Sequence, residues 1–489
     1  MKNYKKLESY FKKLSIYDEI ISILNWDMAT MMPPKSRSSR ISQIEVLNEN
    51  KKNIFNILKK NEFFKRVNKD NLNLDQQRNF ELMKKSFDYF DNIPIKTLNT
   101  ISRLSFETEG LWREAREKNN FLIVKKKLHQ LFSQILNKAE ILSNIWNKSK
   151  YDSLIMLYDE SFQSSEISSF FSNIEKFIKP IYIKSLKKKN LSNINLNLSE
   201  EDQLCLSKYF MKKFGFDFKK GRVDRSLHPF CGGFSNDIRI TSRFEKNNSF
   251  SCFEALMHET GHALYELGLP KKWKNQPIGQ ASGMSMHESQ SLFFEMQITK
   301  SVQFYKFLEL TLKNNFKKLP LKITYKDLKE HGHAVKKNFI RVNADELSYP
   351  LHVIHRFNLE KKLVLNPNSI LELPDLWNSE FYRLLGFRVL SDNEGCLQDI
   401  HWYSGDFGYF PTYCIGAMIA AQLKNYCIKK NPSIFLEIKK GNFRNISKWL
   451  KNNVHQFGNR YTVDEHLLKI TGSKLSTSHY IDHLSERYQ

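Results

Sequence analysis

The chain has 489 residues, 41% of them hydrophobic, and a formal net charge of +24, which raises nucleic acid as a possible partner. Its lysines are spread along the whole chain without a recognition motif, so we expect a solvated basic surface and no nucleic-acid partner. No run of about 18 apolar residues occurs, and the charged N-terminus does not resemble a signal peptide. The composition therefore predicts a cytoplasmic protein with no membrane segment.

The predicted elements are almost all helical, as the 18 glycines and 13 prolines suggest. Residues 1–24 show helical apolar spacing, and the segment NWDMATMMPPKSRSSR then interrupts it with two prolines. Long mixed segments follow, and LSNINLNLSEEDQL predicts a loop before a capped helix. No repeat or linker is visible. We expect a mainly α protein with a single domain over residues 1–489.

One segment differs from this helical pattern. Residues 227–244 read LHPFCGGFSNDIRITSRF, in which CGG is typical of a turn and DIRITSRF alternates apolar and polar residues. This predicts a short hairpin or edge strand. It directly precedes the next helix and is expected to line a cleft beside it.

That next helix, EALMHETGHALYELG, carries two histidines and a glutamate. Ser251 followed by Glu254 predicts a capping box, and the helix is expected to cover residues 252–267. His258 and His262 then lie on one face with an axial rise of about 6 Å, which lets both imidazoles bind one metal ion.

Glu259 is placed beside such a metal, where it can hold and deprotonate a bound water. A third ligand has to come from elsewhere. Glu266 lies about 12 Å along the helix axis from His258 and is rejected. Glu288 and Glu295 of the following segment remain, and Glu288, at the polar start of that segment, is preferred. His287 is a rival ligand, although it is better suited to line the cleft or orient a neighbour.

Two histidines, one carboxylate and an open position are typical of a catalytic zinc site. Such an ion polarises a carbonyl and lowers the pKa of a water. We therefore predict hydrolysis, of a peptide bond. Cobalt or manganese can replace zinc in such a site.

Six short motifs occur in a fixed order around the two histidines. They are HPF from His228, DIRIT from Asp237, HETGH, HESQ, IRVNAD from Ile340 and GCLQDIHW from Gly395. In this set and order the sequence resembles the carboxypeptidase Taq family of metallocarboxypeptidases, the M32 peptidases. The resemblance extends from NWDMATMMPP to FGYFPTYCIGAMIAAQL.

The resemblance implies a helical fold with a deep substrate groove, a small hairpin or sheet near the zinc site, and a homodimer with one zinc ion per subunit. It implies removal of single C-terminal residues from peptides with broad specificity. It assigns His258, His262 and Glu288 as metal ligands and Glu259 as the general base.

A carboxypeptidase must also recognise a free terminal carboxylate, which the planar guanidinium of arginine can bind through two hydrogen bonds. Arg341 is the first candidate, and Arg239, whose motif resembles a groove wall, is the second. Further substrate or oxyanion contacts are expected from His228, His401, Tyr409 and Tyr413. Asp237 and Asp399 are expected to orient neighbours.

One departure from the family pattern is Leu292, where some members have an arginine after the HESQS segment. Two other functions remain possible from the residues alone. One is a helical zinc peptidase that cuts internally or from the N-terminus, and the other is a basic protein that binds nucleic acid.

Overall fold

The computed structural model describes residues 1–187, 194, 198–226, 229–234, 236–245, 249–315 and 323–489. Across these residues the fold is mainly α-helical, which confirms the predicted class. The α-helices of the described residues are α1 (Lys2–Thr30), α2 (Arg37–Lys60), α3 (Leu74–Asn92), α4 (Ile95–Glu117), α5 (Leu122–Trp146), α6 (Lys150–Ile155), α7 (Ser164–Ser185), α8 (Glu200–Phe214), α9 (Ser249–Gly268), α10 (Met284–Leu292), α11 (Val302–Asn315), α12 (Tyr325–Gly332), α13 (Ser348–Leu365), α14 (Leu373–Leu385), α15 (His401–Ser404), α16 (Pro411–Lys430), α17 (Ile434–Ile438), α18 (Arg444–Asn453), α19 (Val463–Thr471) and α20 (Ser478–Tyr488).

The chain forms two compact units, each assembled from three stretches of sequence. The first unit comprises residues 1–91, 191–332 and 419–475, and the second comprises residues 92–190, 333–418 and 476–489. The prediction of a single domain over residues 1–489 stays a prediction. No helix of the described residues is long and apolar enough to cross a membrane.

The first unit contains a three-stranded sheet, formed by β1 (Gly221–Arg225), β2 (Phe230–Phe234) and β3 (Asp237–Ser242) in the order β1-β3-β2. Strands β2 and β3 pair antiparallel, which confirms the predicted hairpin, but the CGG segment predicted as its turn lies within β2. Strand β1 pairs parallel with β3 and was not predicted. The sheet packs against α9, so the predicted position of the hairpin beside the histidine helix is also confirmed.

An aromatic cluster fixes α9 from the side of the core. Phe253 of α9 packs against Phe210 of α8 with ring centroids 5.4 Å apart, and Phe210 lies 5.1 Å from Phe304 of α11. Phe214 extends the cluster to Phe443 at 4.7 Å. Each of these rings is at most 4% exposed. Burying an aromatic side chain contributes about 1.5–3 kcal/mol, so the helix is held in one position against its neighbours.

Helix α1 is longer than the sequence predicted. It continues to Thr30, past the expected break after residue 24, and Trp26 in its last turns is buried. The chain then turns at Pro33, and α2 begins at Arg37. Proline lacks a backbone N–H and restricts the residue before it, so the helix ends ahead of the prolines rather than at the NWD segment.

In the second unit α13 is the central helix. Its side chains are buried along almost its whole length, including the guanidinium of Arg356 and the carboxyl group of Glu360. Around it lie aromatic side chains such as Phe171, whose ring is 5.1 Å from that of Phe357. Buried charges require partners. The partners of Arg356 belong to the site described next.

Candidate active site

The two histidines of the HETGH motif lie on one face of α9. Their ring centroids are 4.9 Å apart, as expected for residues one turn apart. The helix covers Ser249–Gly268, so the predicted capping box is wrong, because Ser251 and Glu254 both lie inside the helix. The helix starts earlier than predicted, and Phe250 in its first turn is buried, with its ring 6.5 Å from that of Phe253.

Glu288 reaches these histidines from α10. Its carboxylate lies 3.4 Å from Nε2 of His262 and 3.9 Å from Nε2 of His258. Gly261 permits this approach, because a Cβ atom there would lie 2.4 Å from the backbone oxygen of Gln290 and 2.5 Å from Cα of Ser291. The glycine between the two histidines therefore allows the backbone of α10 to pack directly on α9.

The outer nitrogen of each histidine also has a partner. Nδ1 of His258 lies 2.7 Å from Oε2 of Glu295, and Nδ1 of His262 lies 3.1 Å from the backbone oxygen of His287. An ionised carboxylate and a carbonyl only accept hydrogen bonds, so both Nδ1 atoms donate. This orients both Nε2 atoms towards Glu288, as in sites where a carboxylate or carbonyl holds a metal-binding histidine.

These three side chains fit a metal ion. One donor atom from each of His258, His262 and Glu288 lies within 4.8 Å of the other two. Among the described residues, these three side chains form the group of His, Cys, Asp or Glu residues that could hold a metal ion. Nitrogen and carboxylate donors of this number are those of catalytic zinc sites. Glu295 is held at the far side of His258, and Nε2 of His287 lies 2.9 Å from Glu266. Neither belongs to the cluster.

The charges of the cluster are strongly coupled. Burial opposes protonation of His258, but the carboxylates of Glu288 and Glu295 outweigh it and raise the pKa of that histidine to about 10. Burial, with His287 next to it, lowers the pKa of His262 to about 4. Burial raises the pKa of Glu288, but His258 and His262 outweigh it, so that this pKa is lowered. The carboxylates that stabilise a proton on His258 would also stabilise a metal cation, and binding of the metal would release that proton.

Glu259 follows His258 on α9 and is 6% exposed. Burial raises the pKa of its carboxyl group to about 7, with a smaller opposing effect from His258. A carboxyl group with this pKa can both accept and return a proton near neutral pH. Burial, with the charge of Glu259, raises the pKa of the Cys231 thiol in β2, in line with the packing of the predicted hairpin on α9.

Arg341 lies in the second unit within a buried cluster of charges. Its Nε donates to Oδ1 of Asp399 at 3.0 Å, and its backbone N–H donates to Oε1 of Gln398 at 2.8 Å. Arg356 binds the other oxygen of Asp399, Oδ2, at 2.7 Å. Two guanidinium groups therefore share one carboxylate, and together they outweigh burial and hold the pKa of Asp399 well below its usual range.

Three of the other predicted residues form a cluster with Arg341. Nε2 of His401 is 3.0 Å from the hydroxyl of Tyr413, and the guanidinium of Arg341 lies 4.6 Å from the centre of the Tyr413 ring. The ring of Tyr409 lies 5.3 Å from that of Tyr413. Arg341, His401, Tyr409 and Tyr413 therefore form one cluster in the second unit, and Asp399 orients its arginine as predicted.

Arg239 has a different environment in the first unit. It makes two hydrogen bonds to Asp237, at 2.9 and 2.8 Å, and its guanidinium lies 4.6 Å from the Trp26 ring. Its charge is balanced by this aspartate, whereas Arg341 shares its aspartate with a second arginine. His228 lies outside the described residues. Leu292, the departure from the family pattern, is 1% exposed and packs in the core.

Arg356 and the contact of Glu295 with His258 were not found by sequence reasoning. Arg356 lies in the SYPLHVIHRFNLEKKL segment, outside the six motifs. An arginine in an otherwise apolar helical segment is a signal for a buried charge that needs a partner. Glu295, the less favoured candidate for the third ligand, contacts Nδ1 of His258, and only the fold reveals this contact.

An H-E-x-x-H helix with a carboxylate from a second helix is typical of metallopeptidases. The family model of carboxypeptidase Taq (M32) metallopeptidases matches residues 6–488, and the chain belongs to this family. It is therefore an enzyme, a metallocarboxypeptidase, as the sequence motifs predicted.

Similar proteins cover the whole chain. Carboxypeptidase 1 of Bacillus subtilis is 32% identical over 99% of this chain and 97% of its own length, and thermostable carboxypeptidase 1 of Pyrococcus furiosus is 30% identical over 99% and 98%. Metallocarboxypeptidase 1 of Trypanosoma cruzi has a similar structure, with a TM-score of 0.93 and 32% identity over 100% of both chains. The M32 carboxypeptidase of Deinococcus radiodurans has a TM-score of 0.93 at 26% identity, over 100% of this chain and 99% of its own.

Proposed function

We propose that this metallocarboxypeptidase is zinc-dependent and removes single residues from the C-termini of peptides with broad specificity. The observation that carries the proposal is the convergence of His258, His262 and Glu288 within 4.8 Å, next to the buried Glu259. Membership of the M32 family supports the direction of cleavage. Peptides are then the substrates, and neither nucleic acid nor a membrane is a partner.

His258, His262 and Glu288 would hold the zinc ion, one per subunit. Their donor atoms match the ligands that zinc prefers, and cobalt or manganese can substitute in such a set. When bound, the ion supplies Lewis acidity, which polarises a carbonyl and lowers the pKa of a water. Glu295 and the backbone oxygen of His287 keep the two imidazoles in the orientation that binding requires.

Glu259 is the general base of the reaction. Its carboxylate accepts a proton from the attacking water and then delivers that proton to the amine of the leaving residue. Burial raises its pKa to about 7, which suits a group that has to take up and release a proton in one cycle.

Arg341 is the proposed binder of the terminal carboxylate. With Arg356 it places two positive charges around the single negative charge of Asp399. A substrate carboxylate would balance the remaining positive charge, and a guanidinium binds a carboxylate through two parallel hydrogen bonds. Arg239 is the less favoured candidate, because Asp237 already binds its guanidinium at two positions.

His401, Tyr409 and Tyr413 are the proposed polar contacts of the substrate in the second unit, and His228 is proposed from its motif alone. The hydrogen bond between His401 and the Tyr413 hydroxyl orients both groups. Hydroxyl and imidazole N–H groups can stabilise an oxyanion when they are held in place before the reaction.

We also propose a homodimer that works in the cytoplasm. The family resemblance supports the dimer. Light scattering on the purified enzyme is expected to give a mass of twice 57.9 kDa.

A pair of peptides tests the proposed reaction. The metal-loaded enzyme is incubated with one peptide that has a free C-terminus and with its C-terminally amidated copy, and the products are followed by mass spectrometry. We expect stepwise loss of C-terminal residues from the free peptide and none from the amide. Internal cleavage of both peptides would instead show an endopeptidase, and N-terminal loss from both would show an aminopeptidase.

A further inference from the structure

Glu266 lies on the same row of α9 as His258 and His262, yet it binds another partner. Its Oε1 lies 2.9 Å from Nε2 of His287 on α10. A carboxylate accepts, so Nε2 of His287 donates this hydrogen bond. Both side chains are largely buried, at 19% and 16% exposure for Glu266 and His287. A charge-assisted hydrogen bond in such surroundings holds the imidazole of His287 in one orientation.

His287 in turn contacts His262 in two ways. Its ring stacks on the His262 ring, with centroids 4.5 Å apart and an angle of 26° between the planes. Its backbone oxygen accepts the hydrogen bond from Nδ1 of His262 at 3.1 Å. The next residue is Glu288, whose carboxylate lies 3.4 Å from Nε2 of His262. One short segment of α10 therefore determines both the orientation of His262 and the position of the carboxylate beside it.

We propose that Glu266 is a positioning residue that acts through His287 on the metal ligand His262. The inference rests on the proposed metal site. Glu266 fixes the His287 ring. The fixed ring and the backbone carbonyl of His287 then keep the Nε2 lone pair of His262 directed at the metal position. Glu266 thus does for His262, through one intermediate residue, what Glu295 does directly for His258.

Glu266 lies one turn beyond His262 on α9, but Nδ1 of His262 already donates to the backbone oxygen of His287. The Glu266 carboxylate instead accepts a hydrogen bond from Nε2 of His287. It can reach the adjacent helix, because Gly261 allows α10 to pack closely on α9. Partners in the outer shell of a metal site change its affinity by about tenfold to a hundredfold when removed.

The test compares Glu266→Ala with Glu266→Gln, since the glutamine keeps an acceptor for His287 while removing the charge. Zinc affinity is measured by competition with a chromophoric chelator, and the cobalt-loaded proteins are compared by visible absorption. We expect Glu266→Ala to bind zinc about tenfold to a hundredfold more weakly, with an altered cobalt spectrum. Glu266→Gln should recover most of the affinity. Glu254→Gln, on the same helix outside this contact, is the matched control and should bind zinc as the wild type does.

A double-mutant cycle tests the path through His287. If Glu266 acts through that ring, zinc binds to Glu266→Ala/His287→Ala no more weakly than to His287→Ala alone. Additive losses would overturn the proposed path. Unchanged zinc affinity and cobalt spectrum in Glu266→Ala would overturn the proposal, even if the metal-free protein melted at a lower temperature. Failure of the wild type itself to bind zinc would instead reject the proposed metal site.

Discussion

His258 has a different carboxylate on each of its two ring nitrogens. Glu295 holds Nδ1 at 2.7 Å, and Glu288 lies 3.9 Å from Nε2. The sequence placed both glutamates on one segment and favoured Glu288 as the ligand from its polar neighbours. It did not predict that Glu295 serves the same histidine from the opposite side, because that contact depends on how two helices pack.

Removing the carboxylate of Glu295 should weaken metal binding without removing a ligand. In Glu295→Ala the His258 ring loses its orienting partner, so we expect zinc to bind about tenfold to a hundredfold more weakly. Equilibrium dialysis of the variant and the wild type measures this change. An affinity equal to that of the wild type would show that the contact does not orient His258 for metal binding.

In the proposed function, selectivity for free C-termini depends most on Arg341. Arg341→Lys keeps the positive charge but loses the planar pair of donors. We expect KM for a free peptide to rise about tenfold to a hundredfold, in line with the ~1.5–3 kcal/mol of a hydrogen bond to a charged group. Steady-state kinetics of the wild type, Arg341→Lys and Arg239→Lys measures KM for the same free peptide. A larger rise in KM for Arg239→Lys would transfer the carboxylate-binding role to Arg239.

At the scale of the elements, the β2–β3 hairpin could be predicted from the sequence, but strand β1 beside it could not. Strands β2 and β3 are adjacent in sequence, and the alternation of DIRITSRF is a local signal, although the CGG segment predicted as the turn lies within β2. Strand β1 joins the sheet in parallel beside β3, through pairs such as Val223 with Ile240, and no local signal in its own sequence marks that pairing. The start of α9 was also missed, because the Ser251–Glu254 spacing satisfies the capping rule inside a helix as well as at its end.

We predict that the free energy of unfolding depends on pH through Glu360 of α13. This carboxyl group accepts hydrogen bonds from Trp402 Nε1 at 2.7 Å, Tyr151 OH at 2.8 Å and the backbone N–H of Gly408 at 3.0 Å. Burial nevertheless raises its pKa to about 7. The protonated form therefore stabilises the fold most below the unfolded pKa of about 4.3. That contribution, about 2–4 kcal/mol, is lost as the pH rises through about 7.

The comparison of wild type with Glu360→Gln isolates this effect. The amide does not titrate, so the free energy of unfolding of the variant should lack the decline between about pH 4.5 and 7. Urea unfolding of the metal-free proteins at several pH values measures the difference. Parallel profiles for the two proteins would mean that Glu360 is ionised throughout this range.

For the whole molecule, the motifs predicted the family better than any bulk property. Six short motifs in order over residues 228–402 identified a family whose match extends over residues 6–488. The net charge of +24 raised only nucleic-acid binding as a function, and no recognition motif accompanies it. The partners of buried charges could not be predicted, since Arg356 and Asp399 are 43 residues apart and meet only in the folded chain.

The most direct test of the account is the exchange of Glu259 for glutamine in the zinc-loaded enzyme. Glu259→Gln keeps the size of the side chain and leaves His258, His262 and Glu288 in place. We expect the variant to bind one zinc ion per subunit while the release of C-terminal residues falls by about a hundredfold to ten-thousandfold or more. Elemental analysis and mass spectrometry of the same sample provide both values. A zinc-loaded variant that cleaves at the wild-type rate would contradict the assignment of the catalytic site.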